Sequence, residues 1–451
     1  MKVMDDFFSP RSVAIIGASR NPAKVGHVVF RNFIEGPYKG KIYPINPNTP
    51  ELFGYRCYSS VLHVPGPVDL AVITVPAPLV LPVLEECGKK RIPAAIIISA
   101  GFGEIGNHEL EAQVVATAKK HHIRFLGPNC FGVVDPATGV DTMFLPRFKI
   151  QRPTPGAIAY ISQSGATLSV VLDWMGMKGY RISKFISYGN AADIDEADLM
   201  AYLADDPATK VICGYFEGVR EGRKFFAVAK RISQKKPIVV LKGGQTAQGG
   251  QATLSHTGSL AGEARIYDAA FKQAGIIHAA NLEQVFDFAR VFATQPAPKG
   301  DRVQIITDGG GYGVLTTDAV IRNDLRLAQM RPQTVLALQK AMPSHVVIKN
   351  PMDLTGDATT ERYRLAIEAA VADPGVDMLA VIVLFQVPAL TGDVVEVIEE
   401  AKSAKPMVVI AGGGKYTETL KKPLEDGGVP TFSYPEQAIA SLRALYDFSH
   451  R

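Results

Sequence analysis

The chain has 451 residues, 47% of them hydrophobic and 20% charged, with 41 glycines and 30 prolines. It is too long for one core and too apolar for disorder, and it lacks the bias of collagen or a coiled coil. Its 48 basic and 44 acidic residues leave a net charge of only +4, spread along the chain, so charge implies no nucleic-acid partner. Cys57, Cys87, Cys130 and Cys213 are too far apart for a metal knuckle and suit a reducing, cytoplasmic setting. The N-terminus MKVMDDFFSPRS is acidic and then polar, unlike a signal peptide. No apolar run reaches the ~18–20 residues needed to span a bilayer, so no membrane is expected.

Along the chain, short β-branched runs end in glycine or polar turns and give way to helical stretches. The first are SVAIIGAS (12–19), KIYPINPN (41–48), DLAVITVPAP (69–78), AAIIISAGFG (94–103) and IRFLGPN (123–129). AIAYISQSG (157–165), KVICGYFEG (210–218), PIVVLKGG (237–244), VQIITDGGG (303–311) and PMVVIAGGG (406–414) follow. Continuous apolar strands alternating with helices predict parallel sheets buried on both faces, hence an α/β chain of successive doubly wound units. QRPTPG (151–156) and TQPAPKGD (294–301) read as linkers, giving units 1–150, about 151–295 and about 300–451.

In the first unit, Gly17-Ala18-Ser19-Arg20-Asn21-Pro22 follows a strand, and a helix starting there would offer its N–H groups to a phosphate. The G-x-G-x-x-G fingerprint is absent, and the second strand ends in Asn46-Pro47-Asn48 rather than an acid, which disfavours NAD. A phosphate-bearing nucleotide other than NAD is favoured over a ligand-free Rossmann-like unit. The crests Val75-Pro76-Ala77-Pro78, Ser99-Ala100-Gly101 and Gly127-Pro128-Asn129 would ring the carboxyl edge of that sheet.

In the second unit, residues 243–264 form a long glycine-rich connection holding one histidine, His256. Lone histidines are more often structural, but connections of this length in α/β units tend to be functional. A histidine there can act as a nucleophile if a carboxylate fixes its other ring nitrogen, and Glu217, at a strand end, is placed to do so. Ser162-Gln163-Ser164-Gly165 opens the next helix and is a second candidate phosphate turn. No Walker loop is present: Gly412-Gly413-Gly414-Lys415 is followed by Tyr416. In the third unit, the run Gly309–Gly313 reads equally as a phosphate-facing turn, a turn without ligand or a subunit contact.

Taken together, SVAIIGAS, VPAP, ISAGFGE, GPNCFG, SQSGA, SYGNAADID, YFEG, LSHTGSLAG and NPMDLTGDAT resemble the alpha subunits of ADP-forming acyl-CoA synthetases. These include acetate–CoA ligases and are related to succinyl-CoA synthetase alpha subunits; the resemblance covers essentially the whole chain. It implies an N-terminal Rossmann-like CoA-binding domain followed by two flavodoxin-like domains. It implies an acid–CoA ligase in which His256 is phosphorylated, Glu217 supports the imidazole, and Ser162, Gln163, Ser164 and Gly165 hold the phosphate. CoA would lie over Gly17, Ala18, Ser19 and Arg20, among Asn46, Asn48, Val75, Pro76, Ser99, Ala100 and Gly101, with Asn129 and Cys130 near its thiol end. Ser255-His256-Thr257-Gly258 departs from the succinyl-type glycine-histidine-alanine-glycine context and favours the acetate-type branch. ADP or ATP with Mg²⁺ is expected mainly on a separate ATP-grasp beta subunit, in an α2β2 heterotetramer acting on a small carboxylic acid. A CoA-binding scaffold without turnover is the competing reading, and the His256 segment and Glu217 argue against it. Protein acetyltransferases sharing these CoA domains carry an added acyltransferase domain, for which three α/β units leave no room.

Overall fold

A computed structural model describes residues 2–246, 248–251, 264–402 and 405–451. They divide into two compact units, residues 1–280 and 281–451.

The first unit opens with α1 (Lys2–Phe8) and contains two sheets. Strands β1 (Ser12–Ile16) and β2 (Lys41–Ile45) precede a small hairpin of β3 (Glu51–Leu52) and β4 (Tyr55–Arg56). β5 (Leu70–Ile73), β6 (Ala94–Ile97) and β7 (Arg124–Leu126) complete a parallel sheet in the order β2-β1-β5-β6-β7. Every residue of β1, β5 and β6 is buried, as expected of unbroken aliphatic runs covered on both faces. Helices α2 (Val25–Glu35), α3 (Val80–Lys90) and α4 (His108–Lys120) lie between these strands in sequence.

The second sheet contains β8 (Gly132–Asp135), β9 (Val140–Asp141), β10 (Thr154–Ser162), β11 (Arg181–Ser187), β12 (Val211–Phe216), β13 (Ile238–Lys242) and β14 (Ile277–His278). Their order is β14-β13-β12-β10-β11-β8-β9, parallel except that β8 pairs antiparallel with β11 and with β9. α5 (Gly165–Lys178), α6 (Glu196–Asp205) and α7 (Gly222–Ile232) connect it. One apolar cluster runs from Phe7, Phe8 and Val13 to Ile161 and Ile212, so both sheets share a core. Phe8 stacks on Tyr202 at 5.1 Å between ring centroids, docking α1 against this core.

The second unit repeats the pattern with β15 (Arg302–Thr307), β16 (Arg326–Leu327), β17 (Met352–Asp353), β18 (Met378–Ile382), β19 (Met407–Ile410) and β20 (Thr431–Phe432). Its order is β16-β15-β18-β19-β20, with β17 also on β15. In each of the three large sheets the chain leaves one strand, β1, β10 or β15, to one side and returns on its other side. That reversal opens a crevice at the strands' carboxyl ends, between β1 and β5, β10 and β12, and β15 and β18. Among the described residues no helix is long and apolar enough to cross a membrane.

Candidate functional site

At the β1/β5 reversal, Gly17 has φ 97° and a Cβ there would lie 2.7 Å from Thr74 Oγ1, so the turn requires glycine. The Gly17 N–H donates to the Ile45 carbonyl at 3.1 Å. Asn46 Nδ2 donates to the Ala18 carbonyl at 2.7 Å and Asn46 Oδ1 accepts from the Asn48 N–H at 2.9 Å. Asn46 therefore staples the two crests together, the task that its short amide suits. Arg20 is exposed and its guanidinium donates to the Glu51 carbonyl at 2.9 Å. The helix expected to start at the turn begins later, at Val25, after a turn in which Lys24 N–H donates to Asn21 O at 3.0 Å. The Asn21 side chain closes that turn, its Oδ1 accepting the Ala23 N–H at 3.0 Å.

Val75 and Pro76 follow β5, and Ser99, Ala100 and Gly101 follow β6 on the same edge. Asn129, held at φ 56° after a cis Gly127–Pro128 bond, donates its N–H to the Ser99 carbonyl at 2.9 Å. These residues come together as the sequence suggests. Cys130 does not join them, because its thiol turns inward toward the Ile97 carbonyl and burial pushes its pKa up to about 12.

At the β10/β12 reversal, Ser164 caps α5 by accepting the Thr167 N–H at 3.3 Å. The Ser162 hydroxyl donates to the Ser164 carbonyl at 2.8 Å, curling the turn so that the first N–H groups of α5 stand at the sheet edge. Gln163 turns toward β12, its Oε1 accepting the N–H groups of Glu217 and Gly218 at 2.8 and 3.1 Å. This glutamine thus positions the neighbouring strand end. Glu217 is only 5% exposed. Burial, with the Glu217 carboxylate adding to it, raises the Tyr215 hydroxyl to about 12. Lys242, on β13, donates to the Glu217 carbonyl at 2.8 Å and to the Gly243 carbonyl. Its ammonium also lies 4.6 Å from the Tyr267 ring centroid. Burial pushes its pKa down, with Glu217 opposing. His256 lies outside the described residues.

In the second unit, Gly309 precedes the helix Gly310–Arg322. Asp308 accepts the Leu384 N–H at 3.0 Å, and burial raises its carboxyl to about 6. Among the described residues no group of three or more His, Cys, Asp or Glu side chains could hold a metal ion.

Residues 11–136 match the family model of a CoA binding domain, 155–292 that of a succinyl-CoA ligase-like flavodoxin domain, and 303–451 that of a ligase-CoA domain. The chain is 42% identical to the alpha subunit of ADP-forming acetate–CoA ligase I from Pyrococcus furiosus, over 99% of its own length and 98% of the relative's. It belongs to the ADP-forming acetate–CoA ligase alpha subunits. The resemblance read from the sequence therefore holds for family, fold class and reaction class. An ADP-forming acetate–CoA ligase of Methanocaldococcus jannaschii, 43% identical, is longer: the match takes in 98% of this chain but 62% of that one. Among solved structures, the dinucleotide-forming acetyl-coenzyme A synthetase 1 of Ca. Korarchaeum cryptofilum, in complex with phosphate and ADP, superposes with a TM-score of 0.93. It is 38% identical and the match covers 99% of this chain and 97% of that one.

Sequence reasoning missed Lys242, whose strand was read only as apolar, and Glu196, a 2% exposed acid opening α6. It also missed the cluster of Glu104, Glu111, Asn190 and Arg220 that joins the two sheets. SYGNAADID contains Asn190, yet no spacing rule pairs it with acids some eighty residues earlier.

Proposed function

We propose that this chain interconverts acyl-CoA, ADP and phosphate with free acid, CoA and ATP, through an acyl phosphate and a phosphohistidine at His256. The observation that carries the reading is the meeting of the α5 N-terminus with the Glu217 strand end at one sheet reversal. An anion is favoured by the first, and a cationic imidazolium by the second.

CoA lies over the Gly17–Arg20 turn, among Asn46, Asn48, Val75, Pro76 and Ser99–Gly101, with Asn129 toward its thiol. The exposed Arg20 guanidinium supplies positive charge for the CoA phosphates. Phosphate sits on the Ser162–Gly165 turn, held by α5 N–H groups. A phosphate oxygen attacks the thioester carbonyl, the C–S bond breaks, and CoA leaves as the thiol. The His256 imidazole then attacks phosphorus in line, the acyl carboxylate departs, and Glu217 holds the other ring nitrogen and balances its charge. The phosphoryl group passes from His256 to ADP. Mg²⁺ bound with the nucleotide supplies charge neutralisation at that step.

The nucleotide site lies on a separate ATP-grasp beta subunit, in an α2β2 assembly in the cytoplasm. Support comes from alpha-subunit relatives and from a longer single-chain relative. Residues 1–150, 151–295 and 300–451 act as the CoA-binding and two ligase domains. The test is labelling of the assembled enzyme with γ-labelled ATP and Mg²⁺, comparing wild type with His256→Ala. Acid-labile, base-stable label on wild type alone supports the reading. Label that survives in His256→Ala refutes it, and label in neither, with CoA still bound, favours the scaffold.

A further inference from the structure

Two carboxylates meet beside the Ser99–Gly101 turn, and one carboxamide stands between them. Glu104 folds back on its own loop: Oε1 accepts the Gly101 N–H at 2.5 Å and the Phe102 N–H at 3.2 Å. Although burial opposes it, the Gly101 N–H and the Asn190 amide hold this carboxyl below its usual range. Glu111, on α4, accepts the Gly103 N–H at 3.2 Å through Oε2. The turn thus hangs from two acids. Asn190, in the loop after β11 and only 7% exposed, donates to Glu104 Oε2 at 2.7 Å and to Glu111 Oε2 at 2.8 Å. Its own Oδ1 accepts from Asn129 Nδ2 at 3.2 Å, and its backbone N–H donates to the Pro128 carbonyl at 3.0 Å. A carboxamide has two N–H donors and one carbonyl, and here all three are engaged.

The same cluster reaches the second sheet. The Tyr188 N–H donates to the Ser162 carbonyl at 3.2 Å, so Asn190 rises from a loop pinned to the phosphate turn. The second oxygen of Glu111 meets Arg220 Nη2 at 3.4 Å, shortly after Glu217 in the chain. One amide therefore holds the mounting of the β6 crest directly and reaches the β10/β12 side through Glu111 and Arg220.

We propose that Asn190 is a positioning residue for acyl transfer, setting the Ser99–Gly101 turn against the Ser162 turn so that the thioester end of CoA meets phosphate. This rests on the reading given under Proposed function. Without the amide, two like charges, one buried and one half-buried, face each other and move apart, carrying Gly101, Phe102 and Gly103 with them. Phosphorylation of His256 from ATP uses α5 and Glu217 but not that turn, so the two half-reactions should separate.

The test uses the enzyme assembled with its beta subunit, as wild type, Asn190→Ala, Asn190→Asp and Asn190→Asp/Glu111→Gln. Labelling from γ-labelled ATP, CoA affinity by calorimetry, and the kcat and KM for CoA are measured. Asn190→Ala and Asn190→Asp should lose about 10- to 100-fold in kcat/KM for CoA, the scale set by a displacement near 1 Å, while labelling keeps its wild-type rate. The double variant restores one amide–carboxylate contact and should recover part of the loss. Equal loss of labelling and acyl transfer, or loss of neither, overturns the proposal. Absence of CoA binding to wild type would instead overturn the underlying reading.

Discussion

Helix α2 presses its first turn directly on the Gly17 loop, and Gly26→Ala tests how closely that contact is set. A Cβ on Gly26 would lie 2.7 Å from the Gly17 carbonyl carbon and 2.8 Å from Thr74 Oγ1, closer still to the Gly17 carbonyl oxygen. Carbon–carbon contact is favourable near ~3.5–4.0 Å, so helix or loop must retreat by roughly 1 Å. The obstacle is backbone, with no rotamer to swing aside. Overpacking of this kind costs about 1–3 kcal/mol of stability. The loop that moves is the one assigned to the CoA phosphates, so CoA affinity should fall about tenfold or more as well. Gly222→Ala is the control, since a Cβ there meets nothing within 4 Å. Thermal unfolding and calorimetric CoA titration of both variants give the answer. A Gly26→Ala protein that melts and binds CoA like wild type would refute the packing argument.

Three further expectations concern stability and reactivity. Asp141 is buried and receives Arg147 Nη1 and Arg152 Nε, each at 2.9 Å, so Asp141→Asn leaves two guanidinium groups without their anion. A drop of about 3 kcal/mol in urea titration is expected, and an unchanged midpoint would contradict it. Burial, with Asp195 adding to it against Lys224 and Arg220, lifts the Glu196 carboxyl from 4.5 to about 7. A folded pKa above the unfolded one favours the protonated fold, so this contribution is present below about pH 4.5 and lost as pH rises through about 7. Glu196→Gln should therefore gain on wild type between pH 5 and 8, and parallel stability curves would exclude this role. Finally, burial raises the Cys87 and Cys130 thiols to about 12, whereas Cys57 is the most exposed of the four cysteines at 9%. Mass spectrometry after mild alkylation of the native protein should find Cys57 modified first.

The sheets were legible because their signal is local. β1, β5, β6, β12, β13 and β19 are largely apolar runs that fall inside the stretches picked out from the sequence, whereas β15 starts one residue before its stretch and β10 starts at Thr154, within the segment 151–156 read as a linker. Gly17 and Ser164 were legible for the same reason, since a turn glycine and a helix cap announce themselves within a few residues. The delay of α2 to Val25 was not, because Asn21 and Pro22 can end a turn or begin a helix equally well. Long-range polar pairing leaves no period at all. Nothing in the spacing of Glu104, Glu111, Asn190 and Arg220 marks them as neighbours, and only folding two sheets onto one core joins them. Glu217 is legible as a strand-end acid, but the oxygen that fixes its backbone belongs to Gln163, part of the candidate phosphate turn.

That last contact bears on how such a sheet can diversify. One carbonyl oxygen, on a side chain of fixed reach, secures the start of the loop after β12 from the turn after β10. A shorter residue at 163 would lose both hydrogen bonds, and a glutamate would keep them only by adding negative charge beside the proposed phosphate turn. The two halves of this crevice are thus a single inheritable module, altered together or not at all. New acid preferences on this scaffold would then arise from residues off that module, leaving unchanged the edge proposed to handle the phosphoryl group.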